Sequence, residues 1–368
     1  MRILLISAYE AKSHKAWATC LMEGLPEHSW EYIYLPARHF AWRIRGNAMS
    51  FAFDPKFKAS LEKPYDLVIA TSMTDCIGLK AFCPDLQNIP WLLYFHENQF
   101  AYPASDKQQG VVEMQMMTLY SALAVDQCIF NSQFNRNSFF NGARALLNKL
   151  PDYVSPDWLT RTQEKSIVLP VPLDISLQHP SSPTVFESDN PIKLVWSARW
   201  EFDKGPDRLQ AILQELENRG VNYQIAILGE QFRSIPDEFE QIKVKFLHRI
   251  TQFGYVEKRS DYLKILSSSD MVLSTALHEF QGLSVLEAVS LGCIPILPNR
   301  QVYTEIFDEF HLYQSDLDDV CKEAKGAADL IIQRTEVPVL PLLESYLGNE
   351  LIKKYHKLIE KLKVRVFK

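Results

Sequence analysis

The chain is 368 residues long, 47% hydrophobic and 23% charged, which suits two domains that each bury a full core. A formal net charge of −6 excludes a surface with general nucleic-acid affinity, because counterion release rewards a basic one, while leaving room for a local basic patch. Six cysteines with no C-x-x-C spacing argue for buried free thiols over disulfides or zinc. Met1 runs directly into a strand pattern without the architecture of a cleavable signal, and no apolar run approaches the roughly 20 residues that span a bilayer, so the expected location is the cytosol. There is no P-loop and no internal repeat.

Residues 2–7, RILLIS, read as a first parallel strand, and the loop that follows should lie at the ligand crevice of a doubly wound sheet. Ser13, His14 and Lys15 can offer hydrogen bonds and charge there, or simply form a solvated helix start. A second strand, WEYIYLP, leads into a stretch with no acidic residue from Pro36 to Phe53. In it Arg38, His39, Arg43 and Arg45 alternate with Phe40, Trp42, Phe51 and Phe53, without a helical period, so a loop is expected. Guanidinium groups beside aromatic rings can bind phosphate and stack on unpaired bases; the plainer alternative is a partly buried loop whose arginines pair with nearby acids.

Residues 66–76 and 89–99 are strand-then-loop units that set Thr71, Ser72, Asp75, His96, Glu97 and Asn98 at the carboxyl edge of the sheet, where open α/β sheets bind ligands. Asn131 and Ser132 end a further strand before a helix. The first domain is expected to cover residues 1–175, with a proline- and serine-rich connector at 178–191. The second, 176–345, opens with IKLVWSAR and the turn WEFDKGPDR, which places Arg199 and Lys204 between a strand and a helix starting near Pro206. A planar guanidinium and an ammonium together can neutralise a diphosphate without a metal. Gly229 with Glu230, and Gly254 with Tyr255, end two more strands. Residues 346–368 form a basic helical tail.

The most informative stretch is MVLSTALHEFQGLSVLEAVSLGCIPILPN, residues 271–299. It reads as a buried strand, a polar turn holding Gly282, and a packed helix. Glu287 leaves a mostly apolar helix surface and therefore needs partners, which a basic side chain or a ligand could supply. Glu279 lies in the turn, eight positions earlier, and the free N–H groups of residues 282–285 attract an anion. Two carboxylates beside an amide-lined anion site suit a sugar nucleotide. The D-x-D at Asp316 to Asp318 opens a late helix, where acids favour the positive end of the dipole, so no metal is expected there.

The spacing of Glu279 and Glu287, with Gly282 and Leu283 between them, resembles the signature of family 4 retaining glycosyltransferases of the GT-B architecture. Arg199 with Lys204 and Gly205 is similar to the same family's strand-to-helix turn. The resemblance implies two facing Rossmann-like doubly wound domains with an interdomain cleft and the C-terminal helix returning to the first domain. It implies that Glu287 holds the donor ribose, that Glu279 and the amides of Gly282 and Leu283 hold the sugar, and that Arg199 and Lys204 hold the diphosphate. His96 is the family's histidine against the donor sugar, and Gly229, Glu230, Gly254 and Tyr255 flank the base. His96, Glu279, Arg199 and Lys204 are thus the expected catalytic set, with no cofactor. The family's glycine pair after the first strand is replaced here by Ala8, Ala11 and Ser13, which removes the usual backbone approach to the diphosphate.

A narrower resemblance lies in SHKAW, LPARHFAWRIRGNAMSFAF and ATSMTD, which look like the amino-terminal domain of the tRNA-queuosine alpha-mannosyltransferases. It implies GDP-mannose as donor and queuosine at the wobble position of tRNA-Asp as acceptor. Ser13, His14, Lys15, Arg38, Trp42, Arg43, Arg45, Asn98 and Asn131 are then the candidate acceptor contacts. The alternatives are a glycosyltransferase acting on an envelope lipid or polysaccharide, which calls for an amphipathic membrane face, and a binding module without turnover.

Overall fold

The computed structural model describes residues 1–102, 110–174, 177, 190–231, 235–341 and 343–366, with side chains as far as residue 362. Most of the expected connector, and the expected boundary at 175 and 176, lie outside the described residues. The chain divides into two compact units: residues 1–174 together with the C-terminal segment from Gly348, and residues 175–347.

Unit 1 alternates strands and helices in the order β1 (Arg2–Glu10), α1 (Lys12–Gly24), β2 (Ser29–Pro36), α2 (Phe40–Phe53), α3 (Pro55–Leu61), β3 (Leu67–Thr71) and α4 (Cys76–Phe82). It continues with β4 (Trp91–Phe95), α5 (Val111–Ala124), β5 (Gln127–Phe130), α6 (Gln133–Leu147), α7 (Asp157–Glu164) and β6 (Ser166–Val168). Unit 2 follows with β7 (Ile192–Ser197), α8 (Pro206–Asn218), β8 (Tyr223–Leu228), α9 (Glu238–Lys245), β9 (Ile250–Gly254), α10 (Arg259–Ser267) and β10 (Met271–Leu273). It closes with α11 (Leu283–Ser290), β11 (Ile294–Pro298), α12 (Tyr303–Ile306), β12 (Leu312–Tyr313) and α13 (Val320–Glu336). The last helix, α14 (Gly348–Val366), belongs to unit 1.

Both sheets have six strands, and all pairings are parallel, in the orders β2-β1-β3-β4-β5-β6 and β12-β11-β10-β7-β8-β9. Parallel strands buried on both faces need continuous apolar sequence, and β3, β4 and β11 are buried at every position. The strand order reverses between β1 and β3 in unit 1 and between β7 and β10 in unit 2. Those reversals fix where a ligand crevice opens, at the carboxyl ends of these four strands.

On one face of the first sheet Leu4, Ile6, Val68, Ala70, Leu93 and Phe95 pack against α2, α4, α5 and α6. On the other, Tyr94 stacks on Trp17 of α1 at 4.3 Å. Trp17 Nε1 donates to Tyr355 Oη of α14 at 3.1 Å, and Tyr355 Oη donates to the Pro170 carbonyl at 3.0 Å. The second core gathers Leu194, Trp196, Ile225 and Ile227 against Leu209, Ile212 and Leu213 of α8 and Ala324, Ala327 and Ala328 of α13.

One expectation is corrected. The cationic-aromatic segment after β2 is the helix α2, not a loop. Ile44, Ala48 and Phe51 bury one face while Trp42, Arg45, Met49 and Phe53 form an exposed stripe on the other. Because apolar residues sit on both faces, the helical period is masked in the sequence.

Candidate functional site

The crevice of unit 2 is built by the loops after β7 and β10. They are drawn together by backbone: Leu277 N–H donates to the Asp203 carbonyl at 2.9 Å and Thr275 Oγ1 to the Lys204 carbonyl at 2.7 Å. The approach is so close that a Cβ on Gly205, whose φ is +64°, would lie 2.2 Å from the Thr275 carbonyl oxygen. Only glycine fits there. Trp196, Ser197, Lys204, Ser274, Glu279, Ser284 and Tyr303 line the resulting narrow recess. Gly282 begins α11 in the left-handed region at φ +73°, which turns the first turn of that helix to the same recess.

Lys204 and Glu279 form the charged centre. Lys204 is nearly buried, its side chain 9% exposed, and Nζ donates to the His278 carbonyl at 2.8 Å and to Glu279 Oε2 at 3.1 Å, with Asp203 at 3.3 Å. Burial alone would raise the Glu279 carboxyl, but the charge and hydrogen bond of Lys204 and the Gly282 amide outweigh it and hold the group at about 2. Glu279 Oε1 also accepts from Phe280 N–H at 3.0 Å. The carboxylate is therefore ionised, fixed, and still a quarter exposed toward a ligand. His278 in the same turn is pushed down to about 4 by burial and then by Lys204. Arg199 is the more accessible cation at 43%, with Glu201 at 2.6 Å.

Glu287 emerges from α11 and finds a basic partner: Arg259 donates to its two oxygens at 3.1 and 2.5 Å, and Tyr262 Oη reaches it at 3.3 Å. Gly229 and Glu230 follow β8, while Gly254 ends β9 with half-exposed Tyr255 beyond it. Gly229 N–H donates to the Gly254 carbonyl at 3.2 Å, and Trp200 N–H to the Glu230 carbonyl at 3.0 Å, which ties these strand ends to the loop after β7. Leu283 is the first residue of α11. Thus Arg199, Lys204, Gly229, Glu230, Gly254, Tyr255, Glu279, Gly282, Leu283 and Glu287 all occupy one edge of one sheet or the helix starting from it. Asp316, of the D-x-D, accepts from Asp318 and Asp319 N–H and from Lys322 Nζ, a local loop-to-helix clasp.

Unit 1 sorts its candidates into two places. His14 is buried in α1, stacked on His96 at 4.0 Å, with its Nε2 3.3 Å from Glu97. Burial, and then His14, hold His96 well below its ordinary pKa, so its imidazole is neutral. Ser13 and Lys15, beside them, are exposed. Asn98 and Asn131 are buried and engaged: Asn98 donates to Asn135 and Ser138 and accepts from Phe100 and Ala101 N–H, and Asn131 donates to the His96 carbonyl. They shape the loop that carries His96. The second place is α2 and the residues just before it: Arg38 ahead of the helix and Trp42 and Arg45 on it are exposed, Arg45 lies 4.0 Å from Glu113, and the Trp42 ring lies over Gly46, a Cβ there falling 2.7 Å from it. Arg43 is held below its ordinary pKa by burial and then by the charge of Arg38.

Sequence reasoning missed Arg259, Tyr262, Tyr303 and Gln301. Their positions come from other elements folding onto the recess, and no spacing to Glu279 or Glu287 announces them.

Two parallel doubly wound units, one with cations, a fixed carboxylate and a helix start at its switch point, have the arrangement of a GT-B glycosyltransferase. Residues 181–331 match the family of glycosyl transferases group 1, and residues 2–173 match the tRNA-queuosine alpha-mannosyltransferase N-terminal family. The chain is a glycosyltransferase. A tRNA-queuosine alpha-mannosyltransferase of Drosophila melanogaster is 37% identical over 320 residues, 85% of this chain and 83% of the fly protein. The chain belongs to the tRNA-queuosine alpha-mannosyltransferase family. Among solved structures, sucrose-phosphate synthase from Thermosynechococcus elongatus shares the fold with a TM-score of 0.65 at 14% identity, covering 99% of this chain and 97% of that one. The pneumococcal O-GlcNAc transferase GtfA does so with a TM-score of 0.59 at 19% identity; the match covers 83% of this chain but spans only 58% of GtfA.

Proposed function

We propose that the protein transfers mannose from GDP-mannose to the cyclopentene hydroxyl of queuosine at the wobble position of tRNA-Asp, with retention at the anomeric carbon. The observation that carries this reading is the 37% identity to the fly enzyme, whose name states both the sugar and the modified nucleoside. Unit 2 takes the donor. Arg199 meets the diphosphate, Glu279 with the amides of Gly282 and Leu283 takes the sugar hydroxyls, and Glu287 takes the ribose. Gly229, Glu230, Gly254 and Tyr255 flank the base.

Because Lys204 already faces Asp203, Glu279 and the His278 carbonyl, its charge acts on the diphosphate while its hydrogen bonds orient Glu279. The acceptor hydroxyl oxygen bonds to the anomeric carbon as the carbon–oxygen bond to phosphate breaks; the electron pair leaves with GDP, whose phosphate oxygen takes the hydroxyl proton. Positive charge fixed in advance stabilises that departing group without solvent reorganisation. Ser13, His14, Lys15, Arg38, Trp42, Arg43 and Arg45 of unit 1 engage the acceptor, in a cytosolic enzyme. No helix among the described residues is long and apolar enough to cross a membrane.

Since Arg199 and Lys204 supply the positive charge, chelation with EDTA is expected to change turnover by less than about twofold. The deciding experiment incubates the protein with GDP-mannose and queuosine-containing tRNA and analyses the digested nucleosides by mass. A hexose added to queuosine supports the reading. An unchanged nucleoside, with turnover on a lipid acceptor instead, overturns it.

A further inference from the structure

Gln301 is, with His39, one of two described non-glycine residues whose backbone lies in the left-handed region, at φ +50°. That conformation pushes Cβ toward the following carbonyl and is unfavourable for residues other than glycine and, to a lesser degree, asparagine and aspartate, so a glutamine persists there only where its surroundings compensate. Its side chain shows what compensates. Gln301 Oε1 accepts from Glu279 N–H at 2.8 Å, and Gln301 Nε2 donates to the Leu277 carbonyl at 3.0 Å. One amide thus closes both ends of the three-residue turn that delivers Glu279, and it reaches that turn from the loop after β11, a separate strand. The remaining ties on the turn point elsewhere: Leu277 and His278 N–H donate to the Asp203 carbonyl, and Lys204 holds the carboxylate from the β7 side. Glu279 is therefore held from two strands at once, by its charge from one and by its backbone from the other.

We propose that Gln301 is the positioning residue for Glu279, fixing the backbone of its turn so that the carboxylate is presented to the sugar. This rests on the reading of Glu279 as a donor-sugar residue. Gln301→Gly is the informative variant because it removes the clamp and the backbone strain together. A purely structural role predicts that relieving strain leaves activity alone; a positioning role predicts a turn loosened without loss of global stability.

Two readouts on the intact protein test it. Hydrogen exchange of the peptide spanning residues 277–282 should quicken roughly tenfold in Gln301→Gly, while β10 and β11 keep wild-type protection and the melting temperature does not fall. Turnover of GDP-mannose should drop about tenfold, in kcat or in the KM for donor, with the KM for the tRNA acceptor unchanged. Gln301→Asn, which tolerates the left-handed backbone but is too short to bridge the turn, should behave like the glycine variant. Wild-type exchange in that peptide, or wild-type turnover in both variants, overturns the proposal. Glu279→Ala, run in parallel, separates the two ideas: full donor use in that variant removes Glu279 from the donor site, whereas its loss with an unaffected Gln301→Gly condemns only the clamp.

Discussion

Glu279 and His278 sit side by side in one turn and titrate in opposite senses of need, one kept charged and the other kept neutral. The carboxyl is depressed from 4.5 to about 2, so its contribution to stability is complete above pH 4.5 and disappears as the pH falls through 2. The imidazole is depressed from 6.5 to about 4; its unfolded form takes up a proton first, so stability is lost as the pH falls from 6.5 toward 4. Denaturation measured across that range should show a decline in two stages. Glu279→Gln is expected to flatten the lower stage by an amount on the order of 3 kcal/mol and, because it removes a charge that raises His278, to extend the upper stage to lower pH. An unchanged acid limb would mean that Lys204 does not hold the carboxylate as described. Lys204→Met, which strands both Glu279 and Asp203, should cost roughly 3 kcal/mol at neutral pH, read from the denaturant midpoint.

At the scale of elements, α14 completes unit 1 by covering α1. Leu351, Tyr355, Ile359 and Leu362 are buried, and Tyr355 Oη satisfies the indole N–H of Trp17. Tyr355→Phe leaves that N–H buried without an acceptor, so a loss of about 1–3 kcal/mol is expected in thermal or chemical unfolding. A variant ending at residue 347 should expose the α1 face and lose soluble yield, whereas full recovery of a folded protein would contradict the role given to α14. The parallel strands were legible from their apolar runs, and the strand-turn-helix around Gly282 was legible from one glycine between two patterns. The helical state of α2 was not, because Trp42, Met49 and Phe53 face outward and spoil the period that Ile44, Ala48 and Phe51 set. The burial of Lys204 was equally hidden: nothing within WEFDKGPDR indicates that the loop after β10 closes over it. Asn98 and Asn131 show the converse, polar residues at a strand edge whose hydrogen bonds are all directed inward.

On the proposed function the molecule divides its labour by charge as well as by fold. A chain of net charge −6 can meet an anionic acceptor only through a local surface, and the one proposed is the acid-free helix α2, with Trp42 56% exposed and Arg38, ahead of the helix, and Arg45 also exposed. Engagement of tRNA through these cations should weaken as salt rises, with a modest slope set by their small number, while donor hydrolysis by unit 2 should hardly respond. The measurement that addresses the division of labour most directly compares tRNA mannosylation with acceptor-free hydrolysis of GDP-mannose in an Arg43→Ala/Arg45→Ala double variant. The account predicts that transfer falls by about tenfold or more while hydrolysis stays within about twofold of wild type. Equal loss of both activities would contradict it, since α2 would then serve the donor or the fold and not the choice of acceptor.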